Sequence, residues 1–161
     1  MKAESKDNRT FQLTEQGQNL GELIYENLFF LNAEIKLTNS KVFEIKPVGL
    51  FKTSITVTKN GIEVVNLKMN WAGHIVFTFT EGPVFILKGR SMFHPTFIME
   101  NSNKEKLLLI APEFKWNQSH FNFDITYNEN QNKKDILLVL LGVYATNYFI
   151  AVMTGANAGM A

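Results

Sequence analysis

Residues 136–153 read ILLVLLGVYATNYFIAVM, and this stretch decides the fold of the chain. It carries no charge and reaches the length of about 18 apolar residues at which a helix can span a membrane. A helix that is apolar on every side must be buried all round, either in lipid or in the protein core. Asp135 is suited to an N-cap and Thr154-Gly155 to a stop, which predicts a helix over about residues 135–154.

The composition of this run favours a protein environment over lipid. Small and polar residues interrupt it at Gly142, Ala145, Thr146, Asn147 and Ala151. A simple lipid anchor is expected to be more uniformly bulky, whereas a close-packed interior requires a mixture of large and small side chains. The composition therefore favours a helix that fills the inside of the domain preceding it, and a membrane-spanning helix stays the alternative.

The chain before the helix has the pattern of β-structure from Phe11 to Tyr127. Apolar and polar residues alternate in 54–58, and a second extended run covers 62–67. Asn60-Gly61 lies between them, and this dipeptide is a strong hairpin signal because both turn positions need positive φ. Similar turn sequences recur through this part of the chain, and no segment has a convincing 3.6-residue apolar period. The pattern predicts a meander of eleven or twelve strands.

A sheet of this size must curl, split or close, because open edges pair with other chains. A closed barrel of eleven or twelve strands encloses more space than its inward side chains fill, and the apolar helix is suited to that space. We therefore predict a mainly β fold, a closed antiparallel barrel of about twelve strands around a central hydrophobic C-terminal helix. The predicted domain covers residues 11–155, with a flexible lead over 1–10 and a flexible tail over 156–161.

Composition limits the class of function. The net charge is +1, and Arg9 and Arg90 are the only arginines, which does not favour nucleic-acid binding. The chain has no cysteine, and its first residues are polar with no signal-peptide pattern, so we expect a cytoplasmic protein.

The sequence carries none of the common catalytic or metal-binding motifs. His74, His94 and His120 lack the spacing of paired metal ligands, and neither a nucleophile elbow nor a phosphate-binding glycine loop occurs. We therefore expect no enzyme activity, no metal and no cofactor. Trp71 and Trp116 lie beside predicted loops, where half-buried indoles are the ordinary outcome.

One segment resembles the tubby-like fold superfamily, which includes tubby C-terminal domains, LURP-one-related proteins and phospholipid scramblases. Lys88-Gly89-Arg90-Ser91 is followed by Thr96-Phe97-Ile98-Met99-Glu100-Asn101, which is similar to a stretch of tubby domains. The spacing here is about one residue shorter, and His94-Pro95 replaces a small linker. The order of strands and terminal helix matches over roughly residues 11–155. The resemblance implies a twelve-stranded barrel threaded by its last helix.

Lys88 and Arg90 are the candidate binding residues. Side chains at positions i and i+2 of a strand share one face, where two cations can bind one phosphorylated headgroup. In tubby domains the corresponding residues bind phosphoinositides, so the resemblance implies an anionic membrane lipid as partner and a peripheral position at the membrane. Lys52, Lys68 and Lys115 are candidates to widen the patch, and a solvated strand face is the non-functional alternative.

Two other functions stay open at this level. The first is a tail-anchored membrane protein with a cytoplasmic β-domain, in which Lys133 and Lys134 lie on the cytoplasmic side. The second is a small carrier or hydrolase that uses the barrel lumen. The sequence defines neither a protein partner nor an oligomeric state.

Overall fold

The computed structural model describes residues 1–27, 31–49, 54–90, 95–114, 121–128 and 134–153. In these residues twelve antiparallel strands form a closed barrel, in which each strand pairs with the next and β1 pairs with β12. The strands are β1 (Lys2–Ser5), β2 (Thr10–Glu15), β3 (Gln18–Tyr25), β4 (Ala33–Leu37), β5 (Val42–Val48), β6 (Ser54–Lys59), β7 (Ile62–Met69), β8 (Ile75–Phe79), β9 (Val84–Gly89), β10 (Phe97–Asn101), β11 (Lys106–Phe114) and β12 (Phe121–Tyr127). One helix, α1 (Ile136–Met153), follows. The predicted fold class is confirmed.

Alternation along most of the strands separates the inside of the barrel from its outside, whereas the three consecutive residues 97–99 of β10 are all buried. In β6, Ile55 and Val57 are buried, while the residues between and beside them are partly exposed. The hairpin from β6 to β7 turns at Asn60 and Gly61, whose φ angles are 52° and 77°. Positive φ at both positions is the geometry that the Asn-Gly pair predicted, because these residue types tolerate the left-handed region.

The barrel consists of three four-stranded units with the same pairing pattern, namely β1–β4, β5–β8 and β9–β12. In each unit the register shifts by one residue between the second and third strands. The shifts lie between Leu13/Thr14, Val57/Thr58 and Met99/Glu100. Such bulges increase the local twist and bend of a strand pair, and their threefold recurrence distributes curvature around the barrel.

The helix lies inside the barrel. All ten residues from Leu138 to Asn147 are buried, which covers every side of the helix for almost three turns. At its start, the backbone N–H of Leu138 donates to Oδ1 of Asp135 across 3.2 Å, so the predicted N-cap is confirmed. The predicted stop at Thr154-Gly155 is outside the described residues. The apolar run therefore has protein as its solvent in this structure.

Two glycines let the helix approach the barrel wall. A Cβ added at Gly21 of β3 would lie 2.9 Å from the carbonyl oxygen of Lys36 and 3.1 Å from Cδ1 of Leu140. A Cβ added at Gly142 of α1 would lie 2.7 Å from Cδ1 of Ile110. Small residues occur in the apolar run because the space between helix and wall is already filled.

The predicted flexible lead is corrected by the structure. Residues 2–5 form β1, which pairs with both β2 and β12 and closes the barrel. Ala3 is fully buried, and the carbonyl oxygen of Met1 accepts a hydrogen bond from the N–H of Ile125 across 3.0 Å. The barrel therefore begins near residue 2, and a polar sequence forms a strand because only one of its side chains has to face inward.

The two ends of the barrel differ in what they carry. We call the end where α1 begins the entry end, and there Lys134 pairs with Glu15 at the β2–β3 turn. At the opposite end, the exit end, the ring of Phe149 packs edge-on against that of Phe97 with centroids 5.3 Å apart. The exit end carries the connections from β1 to β2, β3 to β4, β5 to β6, β7 to β8, β9 to β10 and β11 to β12.

Candidate functional site

Lys88 lies on the outer wall of the barrel, near the exit end of β9. Its neighbours Phe85 and Leu87 are buried, so the alternation of the strand directs Lys88 outward. Its Nζ lies 2.6 Å from Oε2 of Glu100 on β10. The two side chains are 32% and 15% exposed, respectively, so this ion pair is partly shielded from water. The ammonium is therefore already partnered, and an anionic ligand must share it with Glu100 or displace that carboxylate.

Arg90 lies one residue beyond the end of β9, at the exit end. Its backbone N–H donates to the carbonyl oxygen of Thr96 across 2.8 Å, which holds the chain in place on the β10 side. The residue is exposed, and within the described part of the chain its guanidinium has no ion-pair partner. Of the two predicted cations, Arg90 is the one whose charge is available.

The structure does not gather the other predicted cations into one patch with these two. Lys68 is exposed on β7, where it pairs across the sheet with Val76 of β8, so a whole strand separates it from β9. Lys52 and Lys115 are outside the described residues. The candidate site that the structure supports is therefore limited to Lys88, Glu100 and Arg90.

Histidine and carboxylate side chains form no metal-binding cluster in the ranges that the structure describes. His74 lies in the turn between β7 and β8, immediately before the strand that begins at Ile75. His94 and His120 are outside the described residues.

A buried polar cluster inside the barrel was not predicted. Nδ2 of Asn147 donates to the hydroxyl of Tyr25 across 3.0 Å, and the hydroxyl of Tyr144 donates to the carbonyl oxygen of Leu31 across 2.6 Å. The two tyrosine rings stack with centroids 5.9 Å apart. These bonds tie α1 to β3 and to the β3–β4 connection, because buried polar groups cost free energy when unpaired. The polar residues within the apolar run were the sequence signal, but their partners depend on the fold.

Burial raises the pKa values of the two tyrosines in this cluster. Desolvation raises the pKa of Tyr25, and the hydrogen bond from Asn147 offsets only part of this effect. Desolvation also raises the pKa of Tyr144, with smaller contributions from Tyr25 and Tyr148. Both phenols stay protonated at neutral pH, so their role here is to donate and accept hydrogen bonds.

Comparisons with protein-family models, with curated proteins and with solved structures found no match to this chain. The resemblance to the tubby-like superfamily therefore stays a prediction. The described residues include one helix, α1, that is long and apolar enough to cross a membrane, and 61% of it is buried inside the structure. The core helix of a barrel meets the same criteria of length and composition, and the continuous burial of residues 138–147 favours that interpretation.

Proposed function

We propose that this protein is a non-enzymatic binding module of tubby-like type that recognises an anionic, phosphorylated lipid headgroup at the cytoplasmic surface of a membrane. The observation that carries the proposal is the exposed guanidinium of Arg90, two residues after Lys88 and without an ion-pair partner among the described residues. A guanidinium binds phosphate through two parallel hydrogen bonds, which gives both affinity and orientation.

The filled lumen supports a site on the outside of the barrel. Residues 138–147 of α1 occupy the interior together with inward side chains of the strands. A carrier or hydrolase that used the lumen would have to displace this helix, so the outer wall and the rims are the better candidates for ligand contact.

The ion pair with Glu100 limits what Lys88 can contribute to binding an anionic headgroup. While Oε2 of Glu100 lies 2.6 Å from the ammonium, Lys88 contributes little net charge to a ligand. A phosphorylated headgroup at Arg90 that approaches Lys88 would compete with this carboxylate. We therefore expect Arg90 to contribute more than Lys88 to binding of the headgroup. Removal of the charge of Glu100 should strengthen binding, because it frees the ammonium of Lys88.

The test is co-sedimentation with vesicles of phosphatidylcholine alone or with added phosphatidylinositol bisphosphate. We expect Arg90→Gln to lower binding to the second kind of vesicle about tenfold, since a hydrogen bond to a charged group contributes roughly 1.5–3 kcal/mol. Glu100→Gln should raise binding. The matched control is Lys46→Gln, because Lys46 is an exposed strand lysine that also pairs with a glutamate, Glu44.

Each outcome separates the proposal from a general charge effect. Binding that falls in Arg90→Gln, rises in Glu100→Gln and is unchanged in Lys46→Gln supports it. Equal binding of all variants, or equal losses in Arg90→Gln and Lys46→Gln, overturns it, because binding would then depend on net charge or would involve another surface.

A further inference from the structure

The prediction that Trp71 is half-buried is wrong. The residue is fully exposed, at 107% of the reference accessible area. It lies in the connection from β7 to β8, at the exit end. Trp116, the other tryptophan, is outside the described residues. A tryptophan side chain carries a large apolar surface, and a fully solvated one has the most to gain from a less polar environment.

Backbone and side-chain hydrogen bonds close the turn that contains Trp71. Oδ1 of Asn70 accepts hydrogen bonds from the backbone N–H groups of Ala72 and His74, each across 3.0 Å. The N–H of Asn70 donates to the carbonyl oxygen of His74, and Gly73 adopts the positive φ of 74° that closes the turn. These bonds fix the backbone from which the exposed side chain of Trp71 projects.

Other exposed apolar residues lie at the same end of the barrel. The last residues of α1 emerge there, and Val152 and Met153 are exposed, Met153 to 61%. Val48, at the end of β5, is also exposed. The exit end therefore presents several separate apolar groups around its rim.

Both arginines of the chain lie at this end. Arg90 follows β9, and Arg9 lies in the connection from β1 to β2, where its Nη1 reaches the carbonyl oxygen of Glu26 across 3.4 Å. The nearby carboxylate of Asp7 accepts hydrogen bonds from the backbone N–H groups of Arg9 and Thr10, at 2.7 Å and 2.8 Å. This acid accepts its hydrogen bonds within a local turn and keeps its charge, and both arginines are exposed at this end of the barrel.

We infer that the exit end docks onto the interfacial layer of an anionic phospholipid bilayer, with Trp71 inserted among the headgroups and Arg9 and Arg90 against lipid phosphates. The inference rests on the proposed function for its choice of a lipid partner, and it adds the docking surface and the orientation of the barrel. Tryptophan is enriched at membrane–water interfaces because its ring is apolar and its N–H is polar. Juxtamembrane arginines add attraction to an anionic surface. In this orientation the axis of α1 points towards the bilayer, and the helix itself stays in the barrel.

The experiment is co-sedimentation with vesicles of phosphatidylcholine alone and with added phosphatidylserine. We expect the wild-type protein to bind the anionic vesicles and Trp71→Ala to weaken this binding about tenfold, through loss of the inserted apolar surface. The matched control is Ile62→Ala. Ile62 is a large apolar residue that is 71% exposed, but it lies at the entry end, beside the Asn60-Gly61 turn. Because both side chains are solvated, both variants should fold, and a thermal melt checks this.

The docking surface is supported if Trp71→Ala binds anionic vesicles more weakly while Ile62→Ala binds them like the wild-type protein. Equal binding of wild type, Trp71→Ala and Ile62→Ala overturns it, as does the absence of binding to both vesicles. Self-association that depends on Trp71, without vesicle binding, also overturns it and identifies a second copy of the chain as the occupant of this surface.

The two proposals fail in different ways. If Arg90→Gln loses selectivity for the phosphoinositide while Trp71→Ala binds normally, headgroup recognition stands and the docking surface is rejected. If Trp71→Ala loses binding to phosphatidylserine vesicles while Arg90→Gln keeps its phosphoinositide binding, docking stands and the proposed headgroup site is rejected.

Discussion

Asn147 of α1 donates a hydrogen bond from Nδ2 to the hydroxyl of Tyr25 on β3 across 3.0 Å, inside the barrel. Both residues are buried, so this bond joins the central helix to the wall in a place from which water is excluded. Close packing against the wall already restricts how far the helix can slide or rotate. This directional bond, together with the bond from Tyr144 to the carbonyl oxygen of Leu31, favours one rotation and one height of the helix.

This bond leads to a stability prediction. Tyr25→Phe removes the acceptor of the Asn147 amide and is expected to lower the free energy of unfolding by about 1–3 kcal/mol, the usual cost of a buried unpaired polar group. Asn147→Leu added to Tyr25→Phe should recover part of this loss, giving a coupling of roughly 0.5–3 kcal/mol in a double-mutant cycle. Urea titrations of the wild-type protein, the two single variants and the double variant measure this coupling. A cycle of Asn147→Leu with Tyr127→Phe serves as the control and should be additive, and additivity of the Tyr25 cycle would contradict the account.

The two close-approach glycines should respond differently to alanine. At Gly21 the new Cβ meets the backbone oxygen of Lys36, which cannot move without distortion of β4, so we expect a loss of about 1–3 kcal/mol. At Gly142 the nearest atom is the terminal methyl of Ile110, which can move, and alanine gains about 1 kcal/mol of helix propensity. Gly142→Ala should therefore be close to neutral. Chemical denaturation of both variants compares their losses of unfolding free energy. A larger loss in Gly142→Ala than in Gly21→Ala would contradict the account and show that the surroundings of the helix are more rigid than those of β3.

Alkaline pH should destabilise the barrel. Burial raises the folded-state pKa of Tyr25, Tyr144 and Tyr148 above the ordinary tyrosine value. A raised folded-state pKa contributes stability that is fully present below about pH 10 and is lost as the pH rises further, because only the unfolded chain releases the protons easily. The free energy of unfolding should begin to fall at about pH 10 and continue to fall as the pH rises above it, and the fall should be shallower in Tyr144→Phe. An identical slope in wild type and variant would contradict this assignment.

The strands and the helix could be predicted from the sequence because their patterns can be recognised without information about tertiary contacts. The uncharged run 136–153 identifies the helix, and alternation with Asn-Gly and similar turns identifies the strands. The strand at 2–5 was missed because four residues with one inward side chain, Ala3, show no period.

Two of the three four-stranded units share a recognisable segment of sequence. Val42-Phe43-Glu44-Ile45-Lys46 and Val84-Phe85-Ile86-Leu87-Lys88 share three identical positions and the same alternation, and they form β5 and β9 at equivalent places in two units. The two segments are 42 residues apart, which is the spacing expected of a repeated four-stranded unit.

The site was less predictable than the fold. That Lys88 faces outward follows from alternation, but its pairing with Glu100 depends on the register of β9 and β10, in which Lys88 lies opposite Ile98 and diagonal to Glu100. Likewise, Trp71 is fully exposed in the turn that Asn70 closes, whereas the usual behaviour of tryptophan beside a loop predicts a half-buried indole. Long-range register and local turn geometry are the two kinds of information that a single sequence does not provide.

The central claim, that α1 has the barrel interior as its environment, is tested most directly by thiol accessibility. The chain contains no cysteine, so single cysteines report one position each. In buffer without lipid or detergent, Ala145→Cys should be protected from a water-soluble maleimide until the protein is unfolded, because Ala145 is fully buried. Met153→Cys, at the exposed end of the helix, should react at the rate of an unfolded control. Rapid labelling of Ala145→Cys in the folded protein, or its protection only after lipid is added, would contradict the account.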